Sequence, residues 1–120
     1  MVFKSVSCWS APREEDLAEF ERYYTDVHVP HATRIPGAIR LVLTRLTYGL
    51  EGNPSSFYRV AELYFESKDD LLKATTTPEW AEMRADGIKI HERFGVTLES
   101  GWGIPEESTM NPRSPRPELG

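Results

Sequence analysis

The chain has a single cysteine, Cys8, so no disulfide can close within it, and a reducing cytoplasm is the expected compartment. It has no excess of positive charge. Its 14 Lys and Arg are outnumbered by 19 Asp and Glu, a net −5, which argues against nucleic acid and an anionic membrane as partners. It has no long apolar run. Nothing approaches a membrane span, and Met1-Val2-Phe3-Lys4-Ser5 carries no apolar signal core. There is no Gly-x-Ser-x-Gly elbow for a nucleophilic serine, no phosphate-cradling glycine loop and no dinucleotide fingerprint. His28 and His31 have the i,i+3 spacing of a shared ion, but no third ligand follows at a motif spacing, so no metal and no other cofactor is expected. What remains is acid–base chemistry performed by side chains.

The rest describes one soluble domain: 120 residues, 39% hydrophobic and 28% charged, enough to bury a core. Residues 2–10 read as a strand. Ala11-Pro12 ends it, with Ser10 or Ala11 at the cap, Pro12 in the first helical turn and Glu14, Glu15 and Asp16 where a helix dipole favours negative charge. The helix should run to about Asp26 and kink or break between Thr25 and Pro30, with a short further turn to Arg34, because Pro30 lacks an N–H and disfavours helical geometry at Val29. A turn at Ile35-Pro36-Gly37 leads to a strand over Ala38 to Tyr48. A loop dense in turn formers joins it to a strand over Phe57 to Glu66. Ser67 and Thr77 are helix caps, and the second of these helices should falter at Asp86-Gly87. Phe94 to Trp102 alternates as a last strand. The expected fold is therefore α+β, a ferredoxin-like β-α-β-β-α-β domain with a four-stranded antiparallel sheet over residues 1–103. A proline-rich tail, 104–120, has too little apolar surface to order itself.

Phe20 to His31 concentrates the chemistry: two of the three histidines, two of the five tyrosines and Asp26. Leu17, Phe20, Tyr24, Val27 and His31 recur at helical spacing, and His28 lies one turn beyond Tyr24. Polar tips on an inward stripe need partners or a pocket. His28 is the expected proton-transfer group, since imidazole alone titrates near neutrality without help. Tyr24 and His31 are expected to hold the oxygen that gains charge. Asp26, two residues before His28, has the wrong spacing to pair with it directly on a regular helix. Tyr23, Tyr64, Phe65, Trp80 and His91 are candidate pocket walls, and Glu62, a carboxylate in mid-strand, is a candidate contact that otherwise pairs with Arg40, Arg45 or Arg59 or faces the dimer seam. Both parities of the middle strands carry large apolar groups. Helices cover one face only, so a second copy of the sheet is the expected cover of the other, making a homodimer.

Tyr23-Tyr24-x3-His28-x-Pro30, Ile35-Pro36-Gly37 and Ala61-Glu62-Leu63-Tyr64-Phe65-Glu66-Ser67 together resemble the EthD family of dimeric α+β barrels. The resemblance spans roughly residues 2–103. It implies a pocket between sheet and helices in each subunit and cofactor-free chemistry of the kind found in that superfamily: methylmuconolactone isomerisation, polyketide cyclisation, decarboxylation or dehydration, and quinol oxygenation. The isomerase's histidine at the end of the first helix matches His28. The expectation is thus a cofactor-independent lyase, isomerase or cyclase acting on a small hydrophobic carbonyl or phenolic compound. The alternatives are a cofactor-free monooxygenase of a phenol or quinol, or a non-catalytic protein that binds a small hydrophobic molecule.

Overall fold

Residues 1–111 are described by the structure, a computed structural model. Strand β1 (Phe3–Ser10) leads through a 3₁₀ turn (Glu14–Asp16) into α1 (Leu17–Tyr23), a π-helical turn (Tyr24–His28) and α2 (Val29–Thr33). Then come β2 (Ala38–Arg45), β3 (Phe57–Phe65), α3 (Lys68–Ala74), α4 (Pro78–Phe94) and β4 (Leu98–Gly103). The four strands form one sheet in the order β2-β3-β1-β4, with every neighbouring pair antiparallel. This is the ferredoxin-like arrangement. Among the described residues no helix is long and apolar enough to cross a membrane.

Several sequence expectations are corrected. At the expected kink or break the chain stays helical and widens into the π turn, and the further turn expected to Arg34 is α2. Tyr23, Tyr24, His28 and Val29 are all right-handed helical, and the Val29 N–H donates to the Tyr24 carbonyl five residues back. The wider turn gives the Pro30 ring room against the carbonyl it would otherwise strike, so the missing N–H is absorbed without a break. The π turn also resets the phase of the buried stripe. On an α-helix a four-residue step drifts by about 40°. Here Phe20, Tyr24 and His28 stay on one buried face, while Leu17 and Val27 are each 39% exposed. The first helical turn also starts later than its proline: Arg13, not Ser10 or Ala11, precedes the 3₁₀ turn.

The second correction is that α4 runs unbroken through Asp86-Gly87 to Phe94. The third is that Phe94 closes this helix and does not open a strand. Gly95 takes the left-handed conformation (φ 68°) and donates to the His91 carbonyl, a glycine helix stop, and β4 begins only at Leu98. The cap expectations hold: Ser67 Oγ accepts from the Asp70 N–H at 3.1 Å, and Thr77 Oγ1 from the Trp80 N–H at 3.3 Å. Strand β2 is shorter than the apolar run suggested, ending at Arg45. Residues 104–111 carry no regular structure. The expectation for 112–120 lies outside the described residues.

Two core clusters join the helices to one face of the sheet. One packs Trp9, Phe20, Tyr24, Ile90, Phe94 and Val96, and the other Ile35, Leu63, Phe65, Leu71 and Ala74. Each large apolar side chain so buried contributes about 1.5–3 kcal/mol. Glu21 on α1 clamps the helix to the sheet through Arg59 (2.6 Å) and Arg45 (3.1 Å). Burial pushes its carboxyl up, but Arg59 and Arg45 outweigh burial and hold it below its ordinary value.

Candidate active site

A cavity of about 590 Å³ lies between the helices and the sheet, with walls from both core clusters. Its floor is the odd-numbered side of the central strands, including Ser5, Leu41 and Leu63, and Trp102 of β4 joins them. Its roof is Tyr24, His28 and Ala32 from the first helical segment, with Trp80, Met83, Arg84 and Gly87 from α4. The four-residue step from Tyr24 through His28 to Ala32 is the stripe that the π turn preserves. Gly87 of α4 faces Trp9 of the floor, and a Cβ there would sit in ordinary contact with Trp9 Cη2 at 3.5 Å.

His28 is the polar centre of this roof. It is 9% exposed, its ring stacked on Tyr24 (centroids 5.9 Å apart) and met edge-on by Trp9 (5.3 Å). Its Nδ1 lies 2.8 Å from Oδ2 of Asp86, and Oδ1 of the same carboxylate accepts from the Tyr23 hydroxyl at 2.5 Å. Asp86 is 4% exposed. A carboxylate that accepts at both oxygens leaves the hydrogen on Nδ1, so neutral His28 carries its lone pair on Nε2. No described buried side-chain nitrogen or oxygen lacks a partner, and Nε2 has none, so it is not sealed in protein and opens on the cavity that His28 lines. Burial pushes the imidazole below its ordinary value. The Asp86 bond and charge pull the other way, and His31 and Arg84 reinforce burial. Tyr24 is pushed up to about 12 by burial, so its phenol is a neutral donor at the cavity wall. Tyr23 is also raised to about 12, by burial and then by its bond to Asp86.

The EthD domain model matches residues 12–93, about two-thirds of the chain. The chain belongs to the EthD domain family. A Rhodococcus erythropolis protein described as an uncharacterized 11.0 kDa protein of the thcB-thcC intergenic region is 39% identical over 83 residues, which is 69% of this chain and 79% of that one. An EthD family protein of Bacillus halodurans superposes with a TM-score of 0.67 at 27% identity, over 90% of this chain and 100% of that one. SnoaB of Streptomyces nogalater, a cofactor-independent oxygenase, shares the fold at a TM-score of 0.58 and 18% identity, over 89% of this chain and 95% of that one.

In this EthD domain the expected site residues separate. His28, Tyr24 and Trp80 meet at the cavity. Tyr23 stands behind it, bonded to Asp86. His31 is half-buried on α2 and is not among the lining residues. Phe65 is sealed in the second core cluster. Glu62 and Tyr64 lie on the opposite face of the sheet, where Glu62 pairs with Lys4 at 2.6 Å and not with an arginine, and Tyr64 donates to the same carboxylate oxygen at 3.2 Å. Cys8 shares that face half-buried, its thiol pushed up by burial. His91 is exposed on the last turn of α4, where its Nδ1–H donates to the Val96 carbonyl at 2.8 Å beside a smaller cavity. Asp86 was missed as a site residue. It interrupts the apolar stripe Met83, Gly87, Ile90 and Phe94 of α4, and an acid set into a buried stripe was the available signal; the reading as a helix break hid it.

Proposed function

We propose that this EthD domain is a cofactor-independent enzyme that moves a proton on a small, largely apolar carbonyl or phenolic compound, as a lyase, isomerase or cyclase does. The observation that carries this is the Asp86–His28 pair, its free Nε2 open to an apolar cavity. Nε2 takes a proton from a carbon beside a carbonyl, or from a phenolic hydroxyl. Asp86 holds the tautomer and offsets the imidazolium charge, as a buried carboxylate does behind a catalytic histidine. The neutral Tyr24 phenol donates to the oxygen that gains charge. The imidazolium then returns the proton, to another carbon in an isomerisation or to a leaving oxygen in a dehydration. A second reading starts from the same step: a deprotonated phenol or quinol reduces dioxygen itself. The shared fold with SnoaB favours keeping it. The same reading includes a homodimer formed through the face of the sheet opposite the cavity, where Val6 and Val42 flank Glu62 and Val60 lies one row along between Thr44 and Cys8.

Incubating the protein with small ketones and phenols in deuterated water, with and without oxygen, tests this. Solvent deuterium should enter the carbon beside the ketone carbonyl, oxygen consumption should report any phenol turnover, and His28→Ala should slow either by roughly 10²–10⁴. Exchange at full rate in His28→Ala would remove the histidine from the chemistry. Binding without any exchange would make the protein a carrier.

A further inference from the structure

Arg84 is the one permanently charged residue among those described as lining the large cavity, and no acid lines it. Apart from Arg34, which does not line the cavity, the other described arginines are engaged. Arg45 and Arg59 hold Glu21, Arg13 holds Asp16, Arg22 and Arg93 hold Glu19, and Arg40 lies over the Tyr64 ring. Arg84 has no such ion pair with any described residue, although Asp86 is two positions away on the same helix. Asp86 is turned inward and has both oxygens occupied by Tyr23 and His28. Arg84 also lines the smaller cavity of about 330 Å³ beside Trp9, Ile88 and His91. Arg84 is exposed and lines both hollows, so it stands at the solvent-facing rim of the apolar chamber. It is close enough to His28 to disfavour the imidazolium.

We propose that Arg84 is a carboxylate-recognition group, and that the cavity takes small acids whose apolar body lies among the tryptophans and whose acidic C–H or O–H reaches His28 Nε2. This deepens the function proposed above and rests on it for the role of His28. A guanidinium presents a planar fork of donors that matches a carboxylate, and it carries no partner that would have to be displaced. The same placement suits chemistry in which His28 removes a proton, since the substrate then gains negative charge beside a fixed cation. Recognition by a remote group also leaves the reacting end free to be oriented.

Equilibrium binding tests the proposal without requiring turnover. The probes are phenylacetate and its neutral isostere phenylacetamide, read by calorimetry and by the ring resonances of His28. In the wild-type protein both should move the His28 signals, and phenylacetate should bind at least about tenfold more tightly. Arg84→Gln should abolish that difference and leave phenylacetamide binding unchanged, while Arg84→Lys should keep part of it. Equal affinities in the wild type would overturn the acid preference, yet leave the reading of His28 standing if the amide still moves its signals. A preference that survives Arg84→Gln would place the carboxylate elsewhere and overturn the proposal. If neither probe moves His28, both this proposal and the cavity reading fall.

Discussion

Two adjacent rows of the same sheet have opposite characters. Leu41, Leu63, Ser5 and Trp102 sit side by side across β2, β3, β1 and β4, and all four line the cavity. One residue along, Val42, Glu62, Val6 and Gly101 form the matching row on the other face. Polar groups occur on both faces, but they end differently. On the open face Lys4 and Tyr64 both donate to Glu62, and Arg40 and Lys4 both lie 5.2 Å from the Tyr64 ring centre. That cluster is closed on itself. On the helix face the series from Tyr23 to Asp86 to His28 stops at an unfilled lone pair facing a cavity. A bonded series with an open end is what chemistry needs; a closed cluster gives register and solubility.

The largest expected effect comes from exchanging the two characters. Leu63, 6% exposed, becomes an uncompensated charge in Leu63→Lys, which should destabilise the fold by about 3–5 kcal/mol. Val60→Lys, on the other parity, should leave the subunit folded and shift a dimer toward monomer. Denaturant unfolding and light scattering of the two variants read this directly. If Leu63→Lys dissociates a folded protein and Val60→Lys unfolds it, the faces are assigned the wrong way round.

The carboxylates on the two faces, Asp86 and Glu62, give the next effect. Asp86→Asn keeps the shape but lets the amide donate to Nδ1, which moves the lone pair off Nε2. The proton-transfer rate should fall by roughly 10²–10³. Glu62→Gln, in the closed cluster, should leave the rate within about twofold, because its bonds do not reach the cavity. Comparable losses in both variants would mean that stability, not the tautomer of His28, sets the rate.

Much of this was legible in the residues. Alternation along the strands, the caps Ser67 and Thr77 and the turn at Ile35-Pro36-Gly37 are local features, and they predicted the element order. His28 and Tyr24 were legible as well, because polar tips on an inward stripe demand a partner or a pocket. The partner was not. Asp86 lies 58 residues from His28, and only the packing of α4 across the first helical segment brings them together. The π turn was hidden for a similar reason. Pro30 signals that the helix must adapt, but whether it breaks or widens depends on burying Tyr24 and His28 on the same side. Parity was legible as a pattern of two apolar faces, but nothing local says which face the helices choose.

The smallest effect isolates the outermost link. Tyr23→Phe removes only the hydroxyl that donates to Asp86 Oδ1, so the fold should lose on the order of 1 kcal/mol. Its consequence for His28 has a definite sign. Without the Tyr23 hydrogen bond, more of the Asp86 charge is felt at Nδ1, which favours the imidazolium, so the titration midpoint of His28 should rise by a fraction of a unit. In the wild type burial holds that midpoint below its ordinary value of 6.5. The folded protein therefore binds this proton less readily than the unfolded chain does. The stability contributed by neutral His28 is fully present above about pH 6.5 and is lost as the pH falls from there toward the folded midpoint. Activity follows the same titration, level near neutrality and failing in acid. Tyr23→Phe should move the acid limb of the rate profile upward and make the acid loss of stability smaller, because the gap to the unfolded chain's 6.5 narrows. Titrating the His28 ring protons in both proteins measures the shift. A midpoint that falls or stays fixed would mean that Tyr23 braces the helices without tuning the base.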